Sequence, residues 1–244
     1  MHLKKKIGAL CAIAAIAFAS TGDAKPIVNT DGSMPLVHWA ILESKEGKMD
    51  EMLAYGAKDV APYAAKEPGT YALYGGVDKT QPNLLRLLEI YRDEAAYQEH
   101  RASAGFQKYQ KDRADILVRL QIMEADPFVL EAKSAGEGSV VRMARLEIDP
   151  QQLDRYKAAL REEIEKSVEG EPGVLALLAT TEKENPHIFH LLEIYQDDAA
   201  YASHIQSAHF QKYNRQTQGM IQDKQLIATL PTTIRLTGKP AAAL

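Results

Sequence analysis

His204 and His209 flank Ser207, with Phe210 immediately after the second histidine and Glu193 and Tyr195 a short way before the first. A neutral imidazole in such a setting can act as a general base, taking the proton of a weakly acidic hydroxyl group. General-base help of this kind is worth about 10²–10⁴ in rate, and an imidazole with its ordinary pKa near 6.5 suits the task at neutral pH. A related set recurs earlier as Glu89, Tyr91, His100 and Phe106, but Gly105 stands where the second histidine would be. The asymmetry favours the later set. Catalytic candidates are therefore His204, His209, Glu193, His100 and Glu89. The carboxylates either orient a histidine or lie at a strand rim beside a lysine, and His100 and His204 have the alternative of tying two helices together. Trp39, the only tryptophan, reads as core or pocket wall. Together with Tyr91, Tyr195, Phe106 and Phe210 it completes the candidates for stacking on an aromatic ligand.

Other chemistries lack their residues. His187 and His190 make an His-x-x-His pair, but on a strand positions i and i+3 face opposite sides. His204 and His209, five apart, suit one helix face no better, so no metal site is expected. No Gly-x-Gly-x-x-Gly or P-loop pattern occurs, so nucleotide cofactors lack their usual signatures, and the serines have no nucleophile-elbow context.

The elements that must position these groups come in duplicate. Glu67-Pro68-Gly69 recurs as Glu171-Pro172-Gly173, and Leu87 to Tyr91 as Leu191 to Tyr195. Phe106 to Tyr109 recurs as Phe210 to Tyr213, every pair being 104 residues apart. Two units of this length are too few and too long for a solenoid and read as two like domains in a pseudo-dimer. In each, a strand (Leu36 to Glu43; Val140 to Ile148) precedes a helix, about 48–66 and 150–169. Asp149 is available as the second helix's N-cap, with Pro150 at its first position. After the Pro-Gly break come strands at about 70–77 and 84–91. Asp93, Asp197, Ser103 and Ser207 read as N-caps of two short helices per unit. Final strands at about 121–130 and 225–236 complete an α+β fold of two ferredoxin-like β-α-β-β-α-β units. Alternation places Glu89 with Leu87 and Tyr91, Glu193 with Leu191 and Tyr195, and His38 opposite Trp39. A four-stranded sheet with helices on one face leaves the other bare, and a second such sheet covers it. The expected domains are 34–131 and 140–236, joined by a linker at 132–139. The pairing is intramolecular, and a further homo-oligomer stays open.

Of the 244 residues, 45% are hydrophobic and 25% charged, an ordinary globular balance. Lys4, Lys5 and Lys6, then an apolar run from Ile7 to Ala19 and small residues to Ala24, have the layout of a secretory signal peptide over residues 1–24. Secreted or periplasmic location is therefore expected, with no membrane association after cleavage. Removing that segment takes away three lysines and Asp23, so a formal charge of −4 becomes −6. Nothing in such a surface attracts a phosphate backbone, and nucleic acid is not an expected partner. Cys11, the only cysteine, leaves with the segment, and disulfides, thiolate metal sites and a thiol nucleophile leave with it.

A strand ending Glu-x-Tyr, followed by Asp-x-x-Ala-x-x-x-His-x-x-Ser-x-His-Phe, resembles the antibiotic-biosynthesis monooxygenase superfamily, in its quinol-monooxygenase-like members. Glu193, Tyr195, Asp197, Ala200, His204, Ser207, His209 and Phe210 carry it in unit two, and unit one departs from it at Gly105. The resemblance implies a dimeric α+β barrel and oxygenation of aromatic or quinol substrates, often without metal or organic cofactor. The haem-degrading branch is disfavoured, because its tryptophan would fall near His100 or His204 and its haem-ligating histidine near Gln110 or Asn214. The leading expectation is thus a cofactor-independent monooxygenase acting on a small aromatic or quinol. A non-catalytic binder of a small apolar ligand and a purely structural pairing module are the alternatives.

Overall fold

The computed structural model describes residues 24–133 and 140–237. A short strand, β1 (Ala24–Pro26), precedes unit one: β2 (Leu36–Ser44), α1 (Met49–Tyr55), α2 (Ala61–Ala64), β3 (Thr70–Asp78), β4 (Leu84–Tyr91), α3 (Glu94–Ala102), α4 (Ala104–Asp112) and β5 (Leu117–Lys133). Unit two repeats the order as β6 (Val140–Ile148), α5 (Leu153–Gly170), β7 (Val174–Glu182), β8 (Ile188–Tyr195), α6 (Asp198–His204), α7 (Ala208–Thr217) and β9 (Ile221–Thr237). The expected split β-α-β-β-α-β order is present in both halves. The signal-like segment up to residue 23, and residues 134–139 of the expected linker, lie outside the described residues; the linker's first two residues, 132 and 133, belong to β5.

The two sheets do not merely lie face to face. They join at both edges into one closed antiparallel barrel, in the order β5-β2-β4-β3-β9-β6-β8-β7 and back to β5. The last strand of each unit, longer than its sequence suggests, makes the closure. β5 pairs with β2 up to Ala125 and from there with β7 of the other unit. β9 pairs first with β6 and then with β3. Closing the sheet removes free edges, the main hazard of an antiparallel sheet.

Alternation along the strands divides the side chains between two environments. Val37, Trp39, Leu88 and Ile90 meet Val141, Met143, Leu192 and Ile194 in one cluster inside the barrel. Trp39 Nε1 donates to Thr180 Oγ1 at 3.0 Å, a buried bond between the units. The other faces, with Leu73, Tyr91, Leu177 and Tyr195, lie under the helices in two separate cores.

The caps are where the side chains predict them. Asp93 and Asp197 accept from the backbone N–H of Ala96 and Ala200, and Ser103 and Ser207 from those of Phe106 and Phe210. Asp149 accepts from Gln151, but the segment Pro150–Gln152 is a 3-10 turn leading into α5. The helix expected at 48–66 is interrupted by a π-helical stretch, Gly56–Val60. Pro62 lacks an N–H and its ring crowds the preceding turn, whereas unit two has Lys166 there and α5 runs unbroken.

Candidate functional site

Three residues spaced by four, Glu163 and Ser167 on the buried side of α5 and Glu171 at its C-cap, run along one row. Opposite them α6 ends on His204, and α7 starts one turn later with His209 near its first position. Gly173 lets α6 come this close, because a Cβ there would stand 2.5 Å from Ala200 Cβ. His204 is one helical turn after Ala200 on the same face, so the close approach carries its ring to the end of α5.

Glu171 Oε1 accepts from His204 Nδ1 at 2.9 Å and from His209 Nε2 at 2.5 Å. The other ring nitrogen of His204 lies 3.5 Å from Glu163 Oε1, and that oxygen accepts from Ser167 Oγ at 2.7 Å. His204 is only 2% exposed; its ring packs between Tyr195 and Phe210, with centroids at 5.3 and 4.9 Å. Beneath it, on β8, Glu193 accepts from Tyr195 Oη at 2.9 Å. Burial pushes the Glu163 carboxyl up to about 8, and the charges of Glu193 and Glu171 add to the effect against the Ser167 hydrogen bond. Glu163 therefore keeps its proton at neutral pH. Burial also raises Glu193, although Tyr195 and His204 favour its charged form. Tyr195 is in turn pushed well above its ordinary value by burial and by Glu193. A void of about 10 Å³ adjoins the cluster, lined by Glu163, His209, Lys212 and Tyr213 among others. That is room for about one water molecule.

Unit one has the frame without the second imidazole. His100 Nδ1 lies 2.7 Å from Glu67 Oε2, and the ring packs against Tyr91 and Phe106 at 5.5 and 5.0 Å. Burial opposes ionisation of Glu67, but hydrogen bonds from His100 and Thr70 outweigh it and hold the carboxyl below its ordinary range. Glu89 accepts from Tyr91 Oη at 3.1 Å, and burial raises its carboxyl. Asp59, which matches Glu163, lies 3.3 Å from Lys108 Nζ. A Cβ at Gly105 would stand 2.1 Å from the Asp59 carbonyl oxygen and 2.3 Å from Tyr63 Cδ2, so the π-helical stretch occupies the space that His209 fills in unit two.

The fold thus gathers His204, His209, Glu193, Tyr195 and Phe210 into one cluster, and His100, Glu89, Tyr91 and Phe106 into a smaller one. Trp39 belongs to neither: it stands on the opposite face of the sheet, inside the barrel. Glu171 and Glu163 are the partners that residue reading passed over. Glu171 was visible only as part of the duplicated Glu-Pro-Gly, which reads as a chain break, and the i, i+4, i+8 row from Glu163 was the available signal. Spacing argued against His204 and His209 sharing one metal ion; the helix junction at Ser207 and Glu171 bring them to one point.

The family model described as antibiotic biosynthesis monooxygenase matches residues 36–112 and again 139–216. No curated protein matches the chain. Among solved structures, a candidate monooxygenase of Lactobacillus acidophilus NCFM superposes with a TM-score of 0.76 at 22% identity, over 85% of this chain and 96% of its own. Another from Fusobacterium nucleatum subsp. nucleatum gives 0.75 at 20%, over 84% and 95%. At those identities both speak for the two-unit fold. A candidate antibiotic biosynthesis monooxygenase of Bacteroides thetaiotaomicron is 51% identical over 38% of this chain and 88% of its own, with a TM-score of 0.37. With both halves matched in turn, this chain belongs to the antibiotic biosynthesis monooxygenase family and carries two copies of its domain in one polypeptide.

Proposed function

We propose that the protein is a monooxygenase-like enzyme acting on a small phenol or hydroquinone outside the cytoplasm, with unit two as the working half. The observation that carries this reading is the asymmetry between the duplicated halves. Unit two joins two imidazoles to Glu171, with Glu163 and Glu193 close by, where unit one has one imidazole and a glycine. Family membership and the description of its structural neighbours as candidate monooxygenases support it. The outside location rests on the basic, apolar and small-residue layout of residues 1–24.

In this reading an imidazole of the cluster takes the substrate's hydroxyl proton, Glu171 fixes the ring's orientation, and the resulting anion passes electrons to dioxygen. Tyr195 and Phe210 supply the aromatic wall. The adjoining void of about 10 Å³ is far below the few hundred Å³ of a ligand pocket, so entry requires the α6–α7 junction to part from α5. Oxygen uptake with a panel of hydroquinones and polyphenols, wild type beside His204→Ala, tests the reading. Uptake that collapses in the variant is expected. No uptake with any compound, while the protein stays folded, refutes it. The apolar cluster inside the barrel among the described residues favours one rival, a pairing module without chemistry, and that negative result would leave it standing.

A further inference from the structure

We infer that His204, His209 and Glu171 form a binding site for one divalent first-row transition-metal ion. One ring nitrogen from each histidine and one Glu171 oxygen all lie within 4.8 Å of one another, and Glu171 Oε1 itself contacts His204 Nδ1 and His209 Nε2. Two imidazole nitrogens and one carboxylate oxygen are a donor set that suits zinc, iron or cobalt and leaves coordination positions open. An ion about 2.0–2.2 Å from each ligand holds tetrahedral donors roughly 3.4 Å apart. The present separations of 2.9 and 2.5 Å from Glu171 need to widen by about 1 Å or less. The protons that now join the three groups are what the ion would displace.

The surroundings fit a metal site beyond its ligands. If His204 binds through Nδ1, its Nε2–H faces Glu163 Oε1, 3.5 Å away. An oxygen acceptor placed there fixes the tautomer and the ring orientation of a metal-bound histidine. Ser167 holds Glu163 in turn. His204 closes α6, whose C-terminal carbonyls favour positive charge, while the N-terminal end of α7 beside His209 opposes it. The Glu171 carboxylate, in contact with both imidazoles, offsets the second effect. The imidazole of His209 is 21% exposed, so an ion has a way in. Unit one is a built-in control, since it keeps the Glu67–His100 pair but has Gly105 at the third position.

This inference concerns the cluster of the proposed function but does not depend on turnover. Calorimetric titration of the chelator-treated protein with Zn²⁺ reads it directly. One equivalent per chain is expected. His209→Gly, which gives unit two the residue unit one has, should abolish saturable binding, and His100→Ala should keep it. Glu163→Leu should weaken binding roughly 10–100-fold, as loss of a ligand's supporting partner does. Should a variant fail to fold, Co²⁺ added to the wild-type protein decides through its paramagnetically shifted imidazole N–H resonances, of which two are expected. No saturable Zn²⁺ binding, binding that survives His209→Gly, or unshifted imidazole resonances would overturn the inference. Oxygen uptake without Zn²⁺ binding, or the reverse, separates its failure from that of the proposed activity.

Discussion

Replacing Gly105 by alanine isolates the reason the two units differ. In a helix interior the change ordinarily stabilises by about 0.5–1 kcal/mol, because glycine is the worst ordinary helix former. At this position the new methyl would lie 2.1 Å from the Asp59 carbonyl oxygen, 2.3 Å from Tyr63 Cδ2 and 2.7 Å from Tyr63 Cγ. The first contact is backbone, so no rotamer change relieves it; α4 must retreat by about 1 Å from the π-helical stretch. Overpacking of that kind costs typically 1–3 kcal/mol. With the propensity gain subtracted, Gly105→Ala should destabilise by up to about 2.5 kcal/mol. Gly170→Ala is the matched control: it ends α5, and a Cβ there meets nothing within 4 Å, so its effect should be neutral or slightly stabilising. Urea unfolding followed by circular dichroism, with both variants beside wild type, gives the midpoints at constant slope. A Gly105→Ala midpoint equal to or above wild type would refute the claim that unit one is closed by contact at this glycine.

Thr180→Val should cost about 1–3 kcal/mol by leaving the buried Trp39 indole N–H without its acceptor. Fluorescence of the only tryptophan follows both unfolding and any change at that bond. Asp197→Ala removes the side chain that accepts from Ala200 at the start of α6 and should lower stability by about 1 kcal/mol, readable in the urea midpoint. Burial raises the Glu131 carboxyl from 4.5 to about 7, with Glu165 adding to the shift and Arg161 opposing it. The folded state then holds a proton that the unfolded chain has released, so stability declines as pH rises from about 4.5 through 7. Glu131→Gln should flatten that decline and, because the side chain is half-buried and solvent screens it, leave the variant about 1–2 kcal/mol more stable than wild type at pH 8. A wild type whose urea midpoint does not fall over that window would contradict it.

Local physics made much of the molecule readable from residues alone. The duplication needs only comparison at a constant offset. Capping by Asp93, Asp197, Ser103 and Ser207 acts over three residues, and the period of two placed Glu193 with Tyr195 and Trp39 opposite His38. Residue type and spacing also brought out His204, His209 and the odd Gly105. Tertiary structure decided what depends on distant segments. The barrel closes because β5 and β9 run on into the other unit's sheet, a pairing that no strand's own alternation encodes. Glu171 joins His204 across 33 residues, and His209 across 38, because Gly173 admits α6 against the end of α5. Whether two histidines five apart meet at one point is settled by that packing of one element on another, where spacing along a single helix or strand said they would not.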